Sequence, residues 1–145
     1  MFIGRFQYAM DAKGRMMMPA EFRLLLGERF VVSRSLHESC KCLYVYPMEG
    51  WNAFTDKLKT IPMTDLDGQD VIRELFSEAS LCKVDSHGRL LLPEHLRAYA
   101  ELDKDVIVMG SLDHAEIWAK EGYESYKAQR TDRKETLKKL EAMGI

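Results

Sequence analysis

Two stretches of the chain carry residues whose types and spacing could do chemistry. They are Asp11-Ala12-Lys13-Gly14-Arg15, followed by Pro19 and Arg23, and Asp85-Ser86-His87-Gly88-Arg89, followed by Pro93 and Arg97. An aspartate that opens a turn can accept backbone N–H bonds from residues two or three further on, and a glycine three residues later supplies the positive φ that closes it. Asp11, Gly14, Asp85 and Gly88 therefore read as loop-structural. Arg15 and Arg89 leave these tight turns with five guanidinium donors each, more than one carboxylate uses, and are flanked by Lys13 in one copy and His87 in the other. Chemistry alone leaves two readings open. The guanidinium projects toward a phosphate or a guanine edge, or it pairs with the aspartate of its own turn and fixes the loop. Arg23 and Arg97, one turn into short helices, read as solvated or salt-bridged surface residues.

Catalytic patterns are weak by comparison. Ser86 and His87 are sequence neighbours whose side chains are expected to diverge, and there is no Gly-x-Ser-x-Gly, Walker-type loop, nucleotide fingerprint or zinc-protease motif. A hydrolase built on Asp85 and His87 would need an added metal or nucleophile, and none is evident. The acidic run Asp65-Leu66-Asp67-Gly68-Gln69-Asp70 lacks calcium-loop spacing and reads as a helix start. His37 lies near Cys40 and Cys42, but one Cys-x-Cys with a neighbouring histidine falls short of a zinc pattern, so the three cysteines, Cys82 included, read as reduced residues in or beside strands. The sequence thus predicts a non-enzyme without catalytic residues, metal, cofactor or small-molecule substrate.

The elements that must position the two motifs come in duplicate. Asp, Gly, the first Arg, Pro and the last Arg all recur at an offset of 74 residues, with an apolar triplet between them in both copies, which is the mark of a repeated supersecondary unit. The match continues with Ser35-Leu36 against Ser111-Leu112 and with Glu49-Gly50-Trp51 against Glu121-Gly122-Tyr123. The offset drifts from 76 to 72 between these points, so the first half carries about four extra residues around Glu38 to Lys41. Alternation predicts strands at Phe6–Met10 and Leu81–Asp85, each entering a turn. Short apolar strands follow at Met16–Met18 and Leu90–Leu92, each closed by a proline that suits the first turn of a short helix. Further strands are expected at Arg29–Ser35, Cys42–Tyr46, Asp105–Gly110 and Glu116–Ala119. Helical spacing covers Glu49–Leu58, Asp70–Ser80 and an amphipathic Gly122–Met143.

The 145 residues, 46% hydrophobic and 30% charged, suit one globular domain whose two marginal halves share a core. We read repeat 1 over residues 5–59, a linker and helix over 60–78, repeat 2 over 79–126, and a basic helical tail over 127–145. No apolar run reaches membrane-span length and the start lacks a signal-peptide pattern, so a cytoplasmic location with no membrane partner is expected. The net charge of −2 is unevenly placed: residues 5–34 hold six cations against three anions, and so do residues 127–145. Local patches of this kind, more than the total, matter to an anionic partner.

Taken together, Met1-Phe2-Ile3-Gly4, the paired Asp-x-x-Gly-Arg motifs with Pro19 and Pro93, and Leu43-Tyr44-Val45-Tyr46-Pro47 followed by Trp51 resemble the bacterial MraZ family, itself similar to AbrB- and SpoVT-type transcription factors. The resemblance runs to about Tyr126 and leaves the basic tail aside. It implies a mainly-β fold with short helices (α+β), a pseudo-two-fold double swapped-hairpin β-barrel made of two tandem AbrB-like repeats, plus a C-terminal helix. It further implies a cytoplasmic, nucleoid-associated, ring-shaped homo-oligomer that binds double-stranded DNA. Its expected targets are direct repeats in the promoter of a division and cell-wall gene cluster, which it usually represses. Carried residue by residue, DNA contacts fall on Arg15 and Arg89, with Lys13 and His87 beside them. Ser86-His87 replaces Ala12-Lys13 in the second loop, which is therefore less basic at neutral pH. From another class, an oligomeric assembly module that contacts a protein partner and no DNA is the alternative.

Overall fold

Strands apolar on both faces set the architecture. In a computed structural model, which describes residues 1–130 and 132–145, the first half runs β1 (Arg5–Ala9), β2 (Arg15–Met17), α1 (Ala20–Leu26), β3 (Phe30–Arg34), β4 (Leu43–Pro47) and α2 (Met48–Leu58). After α3 (Leu66–Glu78) the second half repeats the order with β5 (Ser80–Cys82), β6 (Arg89–Leu91), α4 (Glu94–Tyr99), β7 (Asp105–Gly110), β8 (Ala115–Ala119) and α5 (Lys120–Gln129), and α6 (Arg133–Ala142) ends the chain. The fold is mainly β of the α+β class.

Six strands form one antiparallel sheet in the order β1-β7-β8-β4-β3-β5, and β2 pairs with β6 in a separate ribbon. Replacing every strand by its counterpart in the other half reverses this order and reproduces it. The register obeys the same symmetry: Phe6↔Val108, Gln7↔Ile107 and Tyr8↔Val106 correspond to Ser80↔Val32, Leu81↔Val31 and Cys82↔Phe30. The pseudo-two-fold axis passes through the Tyr44↔Glu116 pair of β4 and β8. Each half therefore gives its first strand to the other half's sheet edge. The ladder ends at β1 and β5 and does not close on itself; the ribbon supplies the second layer. The β3–β4 connection spans 35–42 and the β7–β8 connection 111–114, which places the four extra residues where the repeat offset drifts.

One face of the sheet packs on the ribbon. Phe30, Val32, Leu43, Val45, Val106, Val108 and Ile117 share a core with Met16, Met18, Leu90 and Leu92, sealed by Phe22 of α1 and Leu96 of α4. The opposite face is covered by helices: Val31 and Tyr46 pack with Trp51 of α2, and at the equivalent positions Ile107 and Trp118 pack with Tyr123 of α5. Burial on both faces explains why Phe30-Val31-Val32 and Val106-Ile107-Val108 run without a polar break. Each such side chain contributes about 1.5–3 kcal/mol of burial.

Two helices differ from expectation. α3 begins at Leu66, ahead of the helical spacing read from Asp70 but within the acidic run read as a helix start, because the Asp65 carboxylate accepts the Gly68 N–H at 3.0 Å and caps it. It stops at Glu78 because Ser80 joins β5. The expected single tail helix from Gly122 to Met143 is two: α5 ends before Arg130 at φ −112°, ψ 72°, and Asp132 caps α6 by accepting the Lys134 N–H at 3.2 Å. α6 buries no residue. Among the described residues no helix is long and apolar enough to cross a membrane.

Candidate functional site

The repeated turns have the same bonding in both halves. Asp11 accepts the backbone N–H groups of Lys13 and Arg15 on Oδ1, at 3.0 and 2.9 Å, and Arg15 Nε–H on Oδ2 at 2.7 Å. Asp85 does the same with His87, Arg89 and Arg89 Nε at 2.8, 2.9 and 3.0 Å. The backbone donors lie two and four residues on, one further than the sequence suggests. Gly14 and Gly88 donate to the carbonyls of Asp11 and Asp85, both at 3.0 Å, and adopt φ +84° and +79°. The backbone N–H of the following arginine is the main influence that holds each carboxyl below its ordinary range. Both aspartates are thus ionised acceptors held by three bonds within their own loop.

The two readings of Arg15 and Arg89 turn out to be compatible. Nε is spent on the aspartate, while among the described residues nothing bonds to either terminal amino group, Nη1 or Nη2. The side chains are 29% and 32% exposed, so the planar fork is braced at its base and open at its tip. In the ribbon Arg15 pairs with Leu91 and Met17 with Arg89, while the central Met16↔Leu90 pair is buried. Alternation then puts Arg15 and Arg89 together on the outer face. Standard strand spacings separate their Cα atoms by roughly 8 Å.

Lys13 and His87 are exposed at the turn tips. Ser86 and His87 do not diverge: Ser86 Oγ lies 3.4 Å from His87 Nδ1. No carboxylate among the described residues holds that imidazole, so the pair lacks the third member that would orient a base. Cys42 is buried and Cys40 and Cys82 are half-buried. Burial raises the Cys42 and Cys82 thiols, which keeps them protonated. Among the described residues no group of three or more His, Cys, Asp or Glu side chains is arranged to hold a metal.

Arg23 and Arg97 are not the solvated surface residues the sequence suggests. The Gly88 carbonyl accepts the Met18 N–H and the Gly14 carbonyl accepts the Leu92 N–H, both at 3.1 Å, so each turn is tied to the other half. A Cβ on Gly14 would stand 2.6 Å from Arg97 Cζ, and one on Gly88 would overlap Arg23 Nη1. Each guanidinium therefore lies against the turn glycine of the opposite half. Arg97 Nε donates to the Leu92 carbonyl at 3.0 Å, whereas Arg23 Nε is buried with no partner among the described residues. The signal for this packing was in the repeat, where these arginines recur in step with the glycines they cover.

Comparison with known proteins agrees with this duplicated layout. A family profile described as "MraZ protein, putative antitoxin-like" matches residues 1–73 and again 75–142. The chain is 46% identical over 129 residues to "Transcriptional regulator MraZ" of Desulforamulus reducens, with 89% of each chain covered. It is 42% identical to the protein of that name from Moorella thermoacetica, over 94% of each chain, and 39% identical to that of Clostridium beijerinckii over the full length of both. With both halves matched and relatives aligned over most or all of their length, the chain belongs to the MraZ family, whose relatives are named as transcriptional regulators.

Proposed function

We propose that the chain is a sequence-specific DNA-binding transcriptional regulator that reads DNA through its two Asp-x-x-Gly-Arg loops. The observation that carries this reading is the pair of braced, open-tipped guanidiniums of Arg15 and Arg89 on one face of the β2–β6 ribbon. Nη1 and Nη2 form the planar fork that matches guanine O6 and N7 or a phosphate. A separation of roughly 8 Å lets both enter one major groove, which is about 12 Å wide. The Asp11 and Asp85 carboxylates would repel phosphate if they faced it, but each is engaged by its own loop through three hydrogen bonds. Lys13 and, when protonated, His87 add charge at the rims.

The named relatives and the family resemblance support transcriptional regulation as the setting. In this reading the protein acts in the cytoplasm on the nucleoid, as a ring-shaped homo-oligomer that represses its own division and cell-wall gene cluster. A head-to-tail ring presents successive loops in one sense, which selects direct repeats about 10 bp apart, one helical turn. Footprinting on the DNA upstream of its own gene tests this layout. Protection of direct repeats is expected, with cooperativity abolished by a 5-bp insertion between them. Protection of a single palindrome removes the ring, and no protection at any salt concentration removes DNA binding.

A further inference from the structure

We propose that Arg23 and Arg97 are positioning residues that hold the DNA-reading loop of the opposite repeat, so that each loop is set by the half of the chain that does not contain it. The inference rests on the assignment of the loops to DNA and adds a coupling between them. Three observations carry it. The turn glycines Gly14 and Gly88 are buried although the residues around them at the loop tips are exposed. What covers them is the guanidinium of Arg97 and of Arg23 respectively, close enough that no Cβ fits between. Finally, the same two units meet through the Leu92 N–H to Gly14 carbonyl bond and the Met18 N–H to Gly88 carbonyl bond.

The geometry is a short closed circuit. Leu92 N–H bonds the Gly14 carbonyl, Arg97 Nε bonds the Leu92 carbonyl, and the Arg97 plane lies on Gly14. A flat guanidinium covers a flat peptide as no flexible ammonium does. Gly14 is followed directly by Arg15, so a shift of the glycine peptide moves the Cα from which the reading fork projects. In the second loop the circuit is incomplete, because Arg23 Nε has no partner among the described residues. The first loop is therefore the more firmly held.

Backbone amide spectra of full-length variants, combined with affinity for the upstream DNA, test the coupling. Arg97→Ala should shift the amides of Lys13, Gly14 and Arg15 while sparing His87, Gly88 and Arg89, and Arg23→Ala should do the reverse. On DNA, Arg97→Ala should lose about tenfold in affinity, at the low end of what a lost base contact costs. Added to Arg15→Ala it should cost little more, because the contact it positions is gone; added to Arg89→Ala the losses should multiply. Arg97→Lys keeps the charge and the fold, and should give the same crossed shifts without rescuing affinity. Shifts confined to the mutated half overturn the coupling, as does full affinity in Arg97→Ala when Arg15→Ala binds weakly; the DNA assignment survives both results. If Arg15→Ala itself binds as the parent does, the DNA assignment fails and Arg97 has no contact to position.

Discussion

Replacing Gly14 by alanine tests the packing at the heart of the site. The residue sits at φ +84°, where an L side chain costs about 1–2 kcal/mol. Its Cβ would also stand 2.6 Å from Arg97 Cζ, against an ordinary carbon contact of about 3.5–4.0 Å. The guanidinium must therefore retreat by about 1 Å, which strains or breaks its bond to the Leu92 carbonyl and loses about 1 kcal/mol more. Lower entropy of the unfolded chain returns about 0.4–1 kcal/mol. The net expectation is a loss of about 2 kcal/mol in the parent. In an Arg97→Ala background only the backbone strain is left, and Gly14→Ala should cost about 1 kcal/mol. Urea unfolding followed by fluorescence reads both, as midpoint shifts at constant slope. Equal cost in the two backgrounds would refute the contact between Arg97 and the turn.

Other expectations concern pH and the balance between the loops. His114 packs against the rings of both Tyr44 and Tyr46 and bonds Asp113 at 2.7 Å and Glu116 at 3.3 Å. Burial opposes its charge, but the bonds and charges of Glu116 and Asp113 outweigh that and raise its pKa above 6.5. A folded pKa raised above the unfolded one gives stability that is complete below pH 6.5 and lost as pH rises through the folded value. The melting temperature should fall on that rise, and His114→Gln should flatten the profile. For Asp11 and Asp85 the sign is opposite: both lie below 3.8, so the loop bonds hold above that pH and fail only as it falls through the lower folded value. Amide exchange at Arg15 and Arg89 should accelerate there, and Asp85→Asn should remove the acid step from the second loop alone. Because Lys13 reinforces only the first loop, Arg15→Ala should weaken DNA binding more than Arg89→Ala, as a titration of each variant against one duplex would reveal.

Much of this was legible because the chain states its pattern twice. The recurrence of Asp, Gly and Arg marked the turns, and the drift in offset located the longer β3–β4 loop, since an insertion must shift everything after it. A strand was expected over Val106-Ile107-Val108, but its cover on both faces emerged only in the fold. The exchange of β1 and β5 between halves came only through the family resemblance, because periodicity says which face of a strand is buried and not which neighbour it meets. The break between α5 and α6 was hidden for a local reason: Tyr123, Tyr126, Leu137 and Leu140 keep a helical spacing across it, while the interruption comes from capping by Asp132. Arg23 and Arg97 were misread as surface residues because a side chain reaching across a pseudo-two-fold axis leaves no trace in local spacing. What their repetition in step with Gly14 and Gly88 offered was a correlation, and the contact itself needed coordinates.

The most direct measurement is the affinity of Arg15→Ala for the DNA upstream of its gene, compared with the parent across a range of salt concentrations, with melting temperatures recorded alongside. Binding through the braced fork predicts a loss of about 1–3 kcal/mol in specific affinity, or a salt slope shallower by about one if the fork meets a phosphate. The melting temperature should change little, because Arg15 spends a single partly exposed bond on its own loop. Parental affinity and salt slope in a folded Arg15→Ala protein would contradict the account.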